Sequence, residues 1–279
     1  MPSTNLKTAP KVATLDPLWS DIRADAEALV STEPGLASFA YRSVLSEDRL
    51  EDAVFARISA RLSDSDVTSE LLRGTFRDAL DDKPTIASDV RADLAAIMDR
   101  DPACHRALEP VLYFKGFHAV QAARLAHWLW NKGRKDFAYW MQSRSSSVFG
   151  TDIHPAAKIG RGIMFDHATG IIVGETAVIS DDVSMLHGVT LGGNGKETGD
   201  RHPKVGRGVL IGAGAKILGN LEIGRCARIA AGSVVLRDVP ECVTVAGVPA
   251  EIVGEAGCHE PARSMNHALA THDFLGEGI

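Results

Sequence analysis

The amino-acid sequence predicts an α+β protein: an all-helical N-terminal domain followed by a left-handed parallel β-helix of hexapeptide repeats. Two observations carry this prediction. The composition changes near Gly150, because all four Trp, all three Tyr and seven of nine Phe precede this residue, whereas only five of 26 glycines lie in that part. In addition, aliphatic residues recur every six positions from Ile153 onward, which is neither the helical period of 3.6 nor the strand period of 2.

Residues 1–150 show the spacing of helices. Asp16 precedes Pro17, which suits an N-cap followed by a proline in the first turn. A longer apolar segment runs from Val111 to Trp130 and is followed by Gly133, a natural helix stop. Other apolar residues recur at helical intervals: Leu18, Ile22, Ala26 and Leu29; Leu50, Val54, Ile58 and Leu62; Leu71, Leu72 and Phe76; Val90, Leu94, Ile97 and Met98.

The hexad pattern occupies thirteen positions in two runs. The first run is Ile153, Ile159, Phe165, Ile171, Ala177, Val183 and Val189, and the second is Val205, Ile211, Ile217, Ile223, Ile229 and Val235. The step from Val189 to Val205 equals two hexads plus four extra positions, so residues 192–203 are predicted to form a loop extruded from the coil. The predicted domains are therefore 1–150, 151–254 and a flexible tail at 255–279.

Each hexad supplies one short flat face, and three hexads close one triangular coil. The aliphatic residue of each hexad is expected to point inward, so that stacked coils bury a continuous column. A β-helix of few coils leaves open ends and flat sides. We therefore expect the helical domain to cap it and the chain to self-associate.

Charge and composition exclude several classes. The net charge of −6 gives no reason to expect binding to nucleic acid or to an anionic membrane. The sequence contains no run of about 18 apolar residues, so no membrane span is predicted. It has no apolar segment near Met1, so no signal peptide is predicted. The four cysteines form no CxxC pair, which favours a reducing cytoplasm. No GxxxxGK[ST] motif is present, so a P-loop is excluded.

His167 is the candidate general base. A hydroxyl nucleophile needs a base that works near neutral pH, and histidine is the obvious supplier. His167 lies just after an inward hexad position, where the backbone is expected to be rigid. Asp152 precedes it by less than one coil of three hexads, and a carboxylate on the far ring nitrogen would orient the imidazole.

Five motifs lie in the second half of the chain: DIHPAAKIGRGIMFDHATG (152–170), GVTLGG (188–193), DRHPK (200–204), IGAGAKILGN (211–220) and AGVPA (246–250). Together they resemble the serine acetyltransferase family. The segment LYFKGFHAVQAARLAHWLWN (112–131) and the final GEGI are similar to the helical domain and tail of the same family. There are two departures: His187 stands where the family pattern has glutamine, and residues 255–270 have no recognised counterpart.

The resemblance implies an acetyltransferase that uses acetyl-CoA, acts on L-serine and needs no metal. It assigns the base to His167 and its orientation to Asp152. An amino-acid substrate needs a cation for its carboxylate and an anion for its ammonium group. Arg201 with His202 is expected to meet the first need, and Asp101 with Asp166 the second. Gly193, Ala213, Ala215 and Ala231 are expected to line the pantetheine arm, because small side chains there leave the backbone amides accessible.

The resemblance also implies partners. It predicts a hexamer of two trimers, inhibition by L-cysteine and a place at the first step of cysteine biosynthesis. The tail, ending at Ile279, is predicted to bind the active site of O-acetylserine sulfhydrylase (cysteine synthase), because an apolar residue with a free carboxylate suits capture in a pocket.

Three alternatives stay open at this point. His154, His167, His187 and His202 are possible metal ligands, and a metal-dependent hydratase of the gamma carbonic anhydrase type shares the predicted fold. An O-acetyltransferase of this fold with a sugar or xenobiotic acceptor is the second alternative. The third is an inactive scaffold whose tail binds a partner enzyme.

Overall fold

The computed structural model describes residues 16–195, 198–257 and 259–268. As predicted, the helix that starts at Pro17 is capped by Asp16, whose side chain accepts a hydrogen bond from the backbone N of Trp19 at 3.2 Å. The helices before the solenoid are α1 (Pro17–Thr32), α2 (Ala37–Ala40), α3 (Leu50–Leu62), α4 (Ser69–Asp82), α5 (Thr85–Arg100), α6 (Leu108–Leu112), α7 (Lys115–Asn131) and α8 (Lys135–Phe149). Short 3₁₀ and π turns flank α2 at Pro34–Leu36 and Tyr41–Leu45.

The apolar segment 111–130 is divided between two helices rather than one. The backbone is extended at Phe114, which separates α6 from α7. Helix α7 is buried along most of its length, because it packs against α8 on one side and the first coil on another. Its Gly116 meets the backbone of Phe165 so closely that a Cβ would overlap the Phe165 carbonyl oxygen. Only glycine allows the helical domain to approach the coil at this point.

The second half of the chain is a solenoid with three flat faces. Its strands are β1 (Thr151–Ile153), β2 (Lys158–Ile159), β3 (Met164–Asp166), β4 (Ile171–Val173), β5 (Val178–Ile179), β6 (Ser184–Leu186), β7 (Thr190–Gly192), β8 (Lys204–Val205), β9 (Leu210–Ile211), β10 (Lys216–Leu218), β11 (Glu222–Ile223), β12 (Arg228–Ile229), β13 (Val234–Val235), β14 (Val243–Gly247) and β15 (Ala250–Glu255). The first face is β1-β4-β7-β10-β13, the second is β2-β5-β8-β11 and the third is β3-β6-β9-β12-β14. Strand β15 pairs antiparallel with β14, and the other pairings are parallel. The predicted left-handed β-helix after a helical region is confirmed.

The hexad register predicted for the second coil is wrong by two positions. Ile153 pairs with Val173, whereas a coil of exactly three hexads would pair it with Ile171. Two additional residues therefore occupy the turn at 167–170. The six-residue period survives because two columns, two positions apart, both face inward and are both mostly aliphatic. Ile171 and Val189 are buried, but they belong to the column that begins at Thr151.

The extruded loop lies where the sequence predicts it, but the coil that carries it exceeds the hexad register by more than the predicted four residues. Leu191 pairs with Ile217, whereas a coil of three hexads without a loop would pair it with Val209. This coil therefore contains eight residues more than three hexads, which is the difference between positions 217 and 209. The chain leaves the first face after Gly192 and returns to the second face at Lys204.

A buried ion pair joins the helical domain to the solenoid. Asp93 of α5 is fully buried and accepts a hydrogen bond from Arg124 Nη2 at 2.6 Å and another from Gln121 at 2.8 Å. Its other oxygen accepts from the backbone N of Ile163, and Arg124 also donates to the carbonyl of Gly160 at 2.7 Å. Burial raises the pKa of Asp93, and the Arg124 guanidinium opposes that rise. This network fixes α5 and α7 against the first coil.

A C-terminal strap, residues 259–268, crosses the third face. It contains the short helix α9 (Pro261–Ser264), which packs against α5 and β9. Ser184 Oγ donates to the carbonyl of Ala262 at 2.8 Å, and Arg228 donates to the carbonyl of Asn266 at 3.1 Å. The strap therefore includes most of residues 255–270, the segment that matched none of the recognised motifs. In the three described stretches, no helix is long and apolar enough to cross a bilayer.

Candidate active site

The predicted site residues divide between two edges of the first face. The base corner is the column of turns from the third to the first face, at residues 167–170, 187–189, 212–215 and 230–233. The loop corner is the column of turns from the first to the second face, at residues 154–157, 174–177 and 193–203. His167 lies at the base corner, whereas Arg201 and His202 lie at the loop corner.

The two-residue insertion holds His167 away from the solenoid. His167 and Ala168 have φ values of 54° and 56°, in the left-handed region that residues with a Cβ seldom adopt. The turn closes through bonds from Ala168 N to the Asp166 carbonyl and from Thr169 N to the His167 carbonyl, at 2.6 and 2.7 Å. Ala168 is buried, whereas the side chain of His167 is 78% exposed. Strain of this kind often marks a functional residue.

Within one chain, the neighbours of His167 are not the expected ones. Its Nε2 lies 3.8 Å from Asp166 Oδ1, and its ring centroid lies 6.1 Å from that of His187. The carboxylate of Asp152 instead accepts a hydrogen bond from Gln142 Nε2 at 2.6 Å. Among the residues that the structure describes, no hydrogen bond or ion pair joins Asp152 to His167. Asp152 lies on β1 of the first face, between the two corners.

The carboxylates of Asp101 and Asp166 lie on elements that pack together. Asp101 is the C-cap of α5, and α5 packs against β3, which ends at Asp166. The residue before Asp101 fixes this position, because Arg100 is buried and donates to the carbonyl of Gly162 at 2.9 Å and to Ser184 Oγ at 3.1 Å. Sequence reasoning missed Arg100, although it directly precedes Asp101 in the motif RDPACH.

At the loop corner, Arg201 is held by its neighbours. Its Nη2 donates to Glu175 Oε2 at 2.7 Å, and its backbone N donates to Thr176 Oγ1 at 3.0 Å. The hydrogen bond from Arg201 lowers the pKa of Glu175. The ion pair keeps Glu175 anionic and orients the guanidinium, whose side chain remains 27% exposed.

His202 is fixed more tightly than Arg201. Its Nδ1 accepts from the backbone N of Thr176 at 3.2 Å and lies 2.9 Å from Thr176 Oγ1, and its ring is packed so closely on Gly174 that a Cβ there would overlap it. Only 7% of His202 is exposed. Burial, with the charges of Arg201 and Lys204, lowers the pKa of His202, which favours the neutral imidazole near pH 7. Because Nδ1 accepts a hydrogen bond from the backbone N of Thr176, the proton of the neutral ring is placed on Nε2. Sequence reasoning missed Gly174, Glu175 and Thr176.

Lys204 ties the base of the extruded loop together. Its Nζ donates to Asp200 Oδ1 and to the His202 carbonyl, both at 2.6 Å, and to Asn220 Oδ1 at 3.0 Å. Because the ammonium group is committed to these acceptors, it anchors the loop that carries Arg201 and His202.

Of the four positions expected to contact coenzyme A, three lie in the base corner, and two of these, Ala213 and Ala231, are accessible. Ala213 is half-buried and Ala231 is exposed, and both stack under His187 through hydrogen bonds of 2.8 Å from Gly214 N to the His187 carbonyl and from Gly232 N to the Ala213 carbonyl. Gly193 lies at the other corner, beside Arg201.

Ala215 is corrected from a lining position to a core position. Its side chain is fully buried among the inward residues of the solenoid. Its backbone N donates to the Gly212 carbonyl, and its carbonyl accepts from Thr190 N. Ala215 lies two positions before Ile217, in the column that begins at Thr151. The side chains of that column face inward.

The four histidines considered as metal ligands are also divided. His167 and His187 lie at the base corner, whereas His154 and His202 lie at the loop corner. Within the described residues, no group of three or more His, Cys, Asp or Glu side chains is arranged to hold a metal ion. Ile279, the predicted partner-binding residue, lies outside the described residues.

Family models and curated relatives match most of the chain. A family model described as serine acetyltransferase, N-terminal, matches residues 18–122, and one described as bacterial transferase hexapeptide (six repeats) matches residues 202–237. Serine acetyltransferases from Salmonella typhimurium and Haemophilus influenzae are 52% and 51% identical to the chain. These matches cover 95% and 91% of this chain, and 98% and 94% of those proteins.

Solved structures are equally similar. A serine acetyltransferase from Brucella abortus strain S19, in complex with coenzyme A, is 59% identical, with a TM-score of 0.86 over 88% of this chain and 98% of that chain. A serine acetyltransferase in complex with cysteine is 50% identical, with a TM-score of 0.88 over 91% of this chain and 98% of that chain.

Proposed function

This chain belongs to the serine acetyltransferase family, and from its geometry we propose that it transfers the acetyl group of acetyl-CoA to the hydroxyl of L-serine at a site shared by two copies of the chain. The observation that carries the proposal is the division of the site residues between two corners. An exposed base lies at one corner, and a preformed cationic loop lies at the other.

A single chain does not bring these corners together. The first face separates them, and a six-residue hexad at about 3.3 Å per residue spans up to roughly 20 Å. A molecule the size of serine cannot bridge that distance. We therefore propose that three copies are related by a three-fold axis with the loop corner of one copy against the base corner of the next, which gives three identical sites.

The proposal extends to a hexamer made of two such trimers. In this assembly the helical domains join the trimers. Leu36, Tyr41 and Leu71 support this role, because they are large apolar side chains that are 42%, 60% and 51% exposed. Contacts between copies would bury this surface.

In the proposed reaction, His167 takes the proton from the serine hydroxyl as the serine oxygen attacks the thioester carbonyl. The carbon–sulfur bond then breaks, and the imidazolium returns the proton to the thiolate of coenzyme A. Asp166, whose Oδ1 lies 3.8 Å from His167 Nε2, stabilises the imidazolium. The orientation of His167 by Asp152 stays a prediction, because within one chain the Asp152 carboxylate binds Gln142.

Serine is held by charges of both signs. Arg201 of the loop corner is proposed to bind its carboxylate, with His202 beside it donating from Nε2. Asp101 and Asp166 are proposed to bind the ammonium group. The Glu175–Arg201 ion pair supports this assignment, because it holds the guanidinium in place before the substrate arrives.

Coenzyme A is proposed to lie along the base corner. Ala231 and Ala213 form a column of small side chains that ends beneath His187 and His167, so an extended pantetheine arm in this column would bring its thioester to the base. The coenzyme A complex of the Brucella relative supports acetyl-CoA as the co-substrate.

L-Cysteine differs from L-serine only in sulfur for oxygen, so we propose that it competes for the same charged contacts and inhibits the enzyme. The cysteine complex of a relative supports this proposal. The place of the reaction at the first step of cysteine biosynthesis, the cytoplasmic location, and the binding of Ile279 to O-acetylserine sulfhydrylase stay predictions. Deletion of Gly278 and Ile279 should abolish co-purification with the sulfhydrylase and leave acetyl transfer largely unchanged.

A thiol-release assay tests the function directly. Purified protein is given acetyl-CoA with serine, threonine, homoserine or a galactoside, and free thiol is measured. Serine-dependent release that exceeds release with the other acceptors is expected. Preference for the galactoside would support the sugar acetyltransferase alternative, and no release with any acceptor would refute the proposal.

A further inference from the structure

Building on the proposed function, we propose that Lys115 is a positioning residue for the base His167 and that it acts through the hydroxyl of Thr169. Lys115 is the first residue of α7, and Thr169 lies in the turn at 167–170 that carries the base. Lys115 Nζ donates a hydrogen bond to Thr169 Oγ1, which in turn donates to the His167 carbonyl at 3.4 Å. These two bonds form a continuous link from the helical domain to the backbone of the base.

The turn at 167–170 depends on such a link because its backbone is strained. His167 and Ala168 both have positive φ values, although neither residue is glycine. Strain of this kind persists only where the surrounding structure holds the backbone in place. Because the side chain of His167 is mostly exposed, packing around the ring contributes little to its orientation. The orientation of the base therefore depends on the groups that bind the backbone of the turn.

Backbone hydrogen bonds fix the second half of the turn from two sides. Gly170 N donates to the carbonyl of Gly150, the C-cap of α8, at 2.7 Å. Gly188 N of the next coil donates to the Thr169 carbonyl at 2.8 Å. The His167 carbonyl accepts from Thr169 N at 2.7 Å and from the Thr169 hydroxyl. Thr169 is therefore the residue through which the fixed half of the turn constrains the base.

The first two residues of α7 are unfavourable for helix stability. A cation at Lys115 lies at the positive end of the helix dipole, and Gly116 has a low helix propensity. Both residues instead contact the turn that carries the base. Gly116 leaves room for the Phe165 carbonyl, and a Cβ at this position would also lie 3.3 Å from Ala168 Cβ. Contact with the turn explains both residues, whereas helix stability explains neither.

Loss of the Lys115 donor should release the Thr169 hydroxyl and widen the range of orientations that His167 adopts. Misplacement of a reacting group by about 1 Å costs up to about 100-fold in rate. Neither Lys115 nor Thr169 is among the residues proposed to bind serine or coenzyme A. The effect should therefore fall on kcat, and KM for serine and Kd for acetyl-CoA should change little.

Variants at the two positions test the link by kinetics. Lys115→Met removes the donor and Thr169→Val removes the acceptor, so kcat should fall by about 10-fold in each, with KM for serine and Kd for acetyl-CoA within about two-fold of the wild-type values. Lys115→Arg restores a donor and Thr169→Ser restores a hydroxyl, and both should recover most of kcat. Lys158→Met, which removes an exposed lysine from β2 of the second face, should leave kcat unchanged.

A double variant shows whether Lys115 acts through Thr169. Because both residues belong to one link, Lys115→Met combined with Thr169→Val should lose no more activity than either single variant. Two independent contributions would instead multiply to a loss of about 100-fold.

Hydrogen–deuterium exchange followed by mass spectrometry measures the turn without turnover. The backbone N–H of Thr169, which bonds to the His167 carbonyl, should exchange several-fold faster in Lys115→Met and in Thr169→Val than in the wild-type protein. Lys115→Arg and Lys158→Met should exchange at the wild-type rate. If the wild-type protein failed to acetylate serine, this comparison would still decide whether Lys115 holds the turn.

Three results would overturn the proposal. The first is a Lys115→Met protein with the kcat and the exchange rate of the wild-type protein. The second is a loss of kcat in Lys115→Met with weaker acetyl-CoA binding and unchanged exchange at the turn, which would indicate that the lysine contacts the cofactor. The third is a double variant in which the two losses multiply.

Discussion

The base corner and the loop corner differ in how firmly their histidines are held. His202 at the loop corner is 7% exposed and is bonded to Thr176, whereas the side chain of His167 at the base corner is 78% exposed on a strained turn. The loop corner is therefore held by hydrogen bonds within the chain, and the base corner is open. This difference fits the proposed division of roles, in which the loop corner recognises the charge of serine and the base corner is covered by the next copy of the chain.

The largest expected effect is at the base corner. His167→Ala deletes the proposed base, so kcat should fall by about 10²- to 10⁴-fold while the affinity for acetyl-CoA stays nearly unchanged. Asp152→Asn should cost less, because it leaves the base in place and, within one chain, Asp152 binds Gln142 and not His167. Steady-state kinetics and calorimetry of acetyl-CoA binding measure both effects. Near-native turnover of His167→Ala would remove this residue from the mechanism.

The next effect is at the loop corner. Arg201→Ala removes a charge-assisted hydrogen bond, so KM for serine should rise by about 10- to 100-fold with a smaller change in kcat. The inhibition constant of cysteine should rise by a similar factor, because both amino acids use the same contact. Inhibition by cysteine that does not depend on the serine concentration would indicate a separate site.

A smaller effect tests whether the loop corner is preformed. Gly174→Ala places a methyl group where the His202 ring lies and should displace it from Thr176. We expect KM for serine to rise several-fold. Gly74→Ala is a matched control, because a Cβ at this helical position meets no heavy atom within 4 Å. If the two variants had the same KM, the rigidity of His202 would not matter for serine binding.

The smallest effect is a pH dependence that is absent at the loop corner. Burial lowers the pKa of His202 below its ordinary value of 6.5. Between pH 8 and pH 6.5 the His202 imidazole should therefore stay neutral, and KM for serine should stay nearly constant. Kinetics across this range measure KM. A KM that rises steeply as the pH falls from 8 to 6.5 would show that the loop corner titrates in this range.

The two corners also differ in how well the sequence predicted them. The six-residue period indicated the coil, and the family motifs pointed to His167 and Arg201. The period did not reveal the insertion at 167–170, because adjacent inward columns are both apolar and a shift by two positions exchanges one for the other. The true register depends on strand pairing, which the composition of the columns does not encode.

Supporting residues were harder to predict than the residues they support. Thr176 and Glu175 bind a loop that lies more than one coil further along the chain, and no local pattern reports such a contact. In the sequence, Arg100 resembles any basic residue at the end of a helix. Its supporting role is evident only from its hydrogen bonds to Gly162 and Ser184. The placement of the two corners on opposite edges of one face is likewise a property of the closed coil.

A mixing experiment tests the shared site most directly. His167→Ala and Arg201→Ala are each nearly inactive at low serine, and they are co-expressed with different tags so that mixed oligomers can be purified. If His167 of one copy works with Arg201 of the next, random mixing in a three-fold ring leaves about a quarter of the sites intact. We predict recovery of up to about a quarter of the wild-type activity. If each site belonged to a single chain, every site would lack one of the two residues, and the mixed oligomers would be no more active than the variants alone.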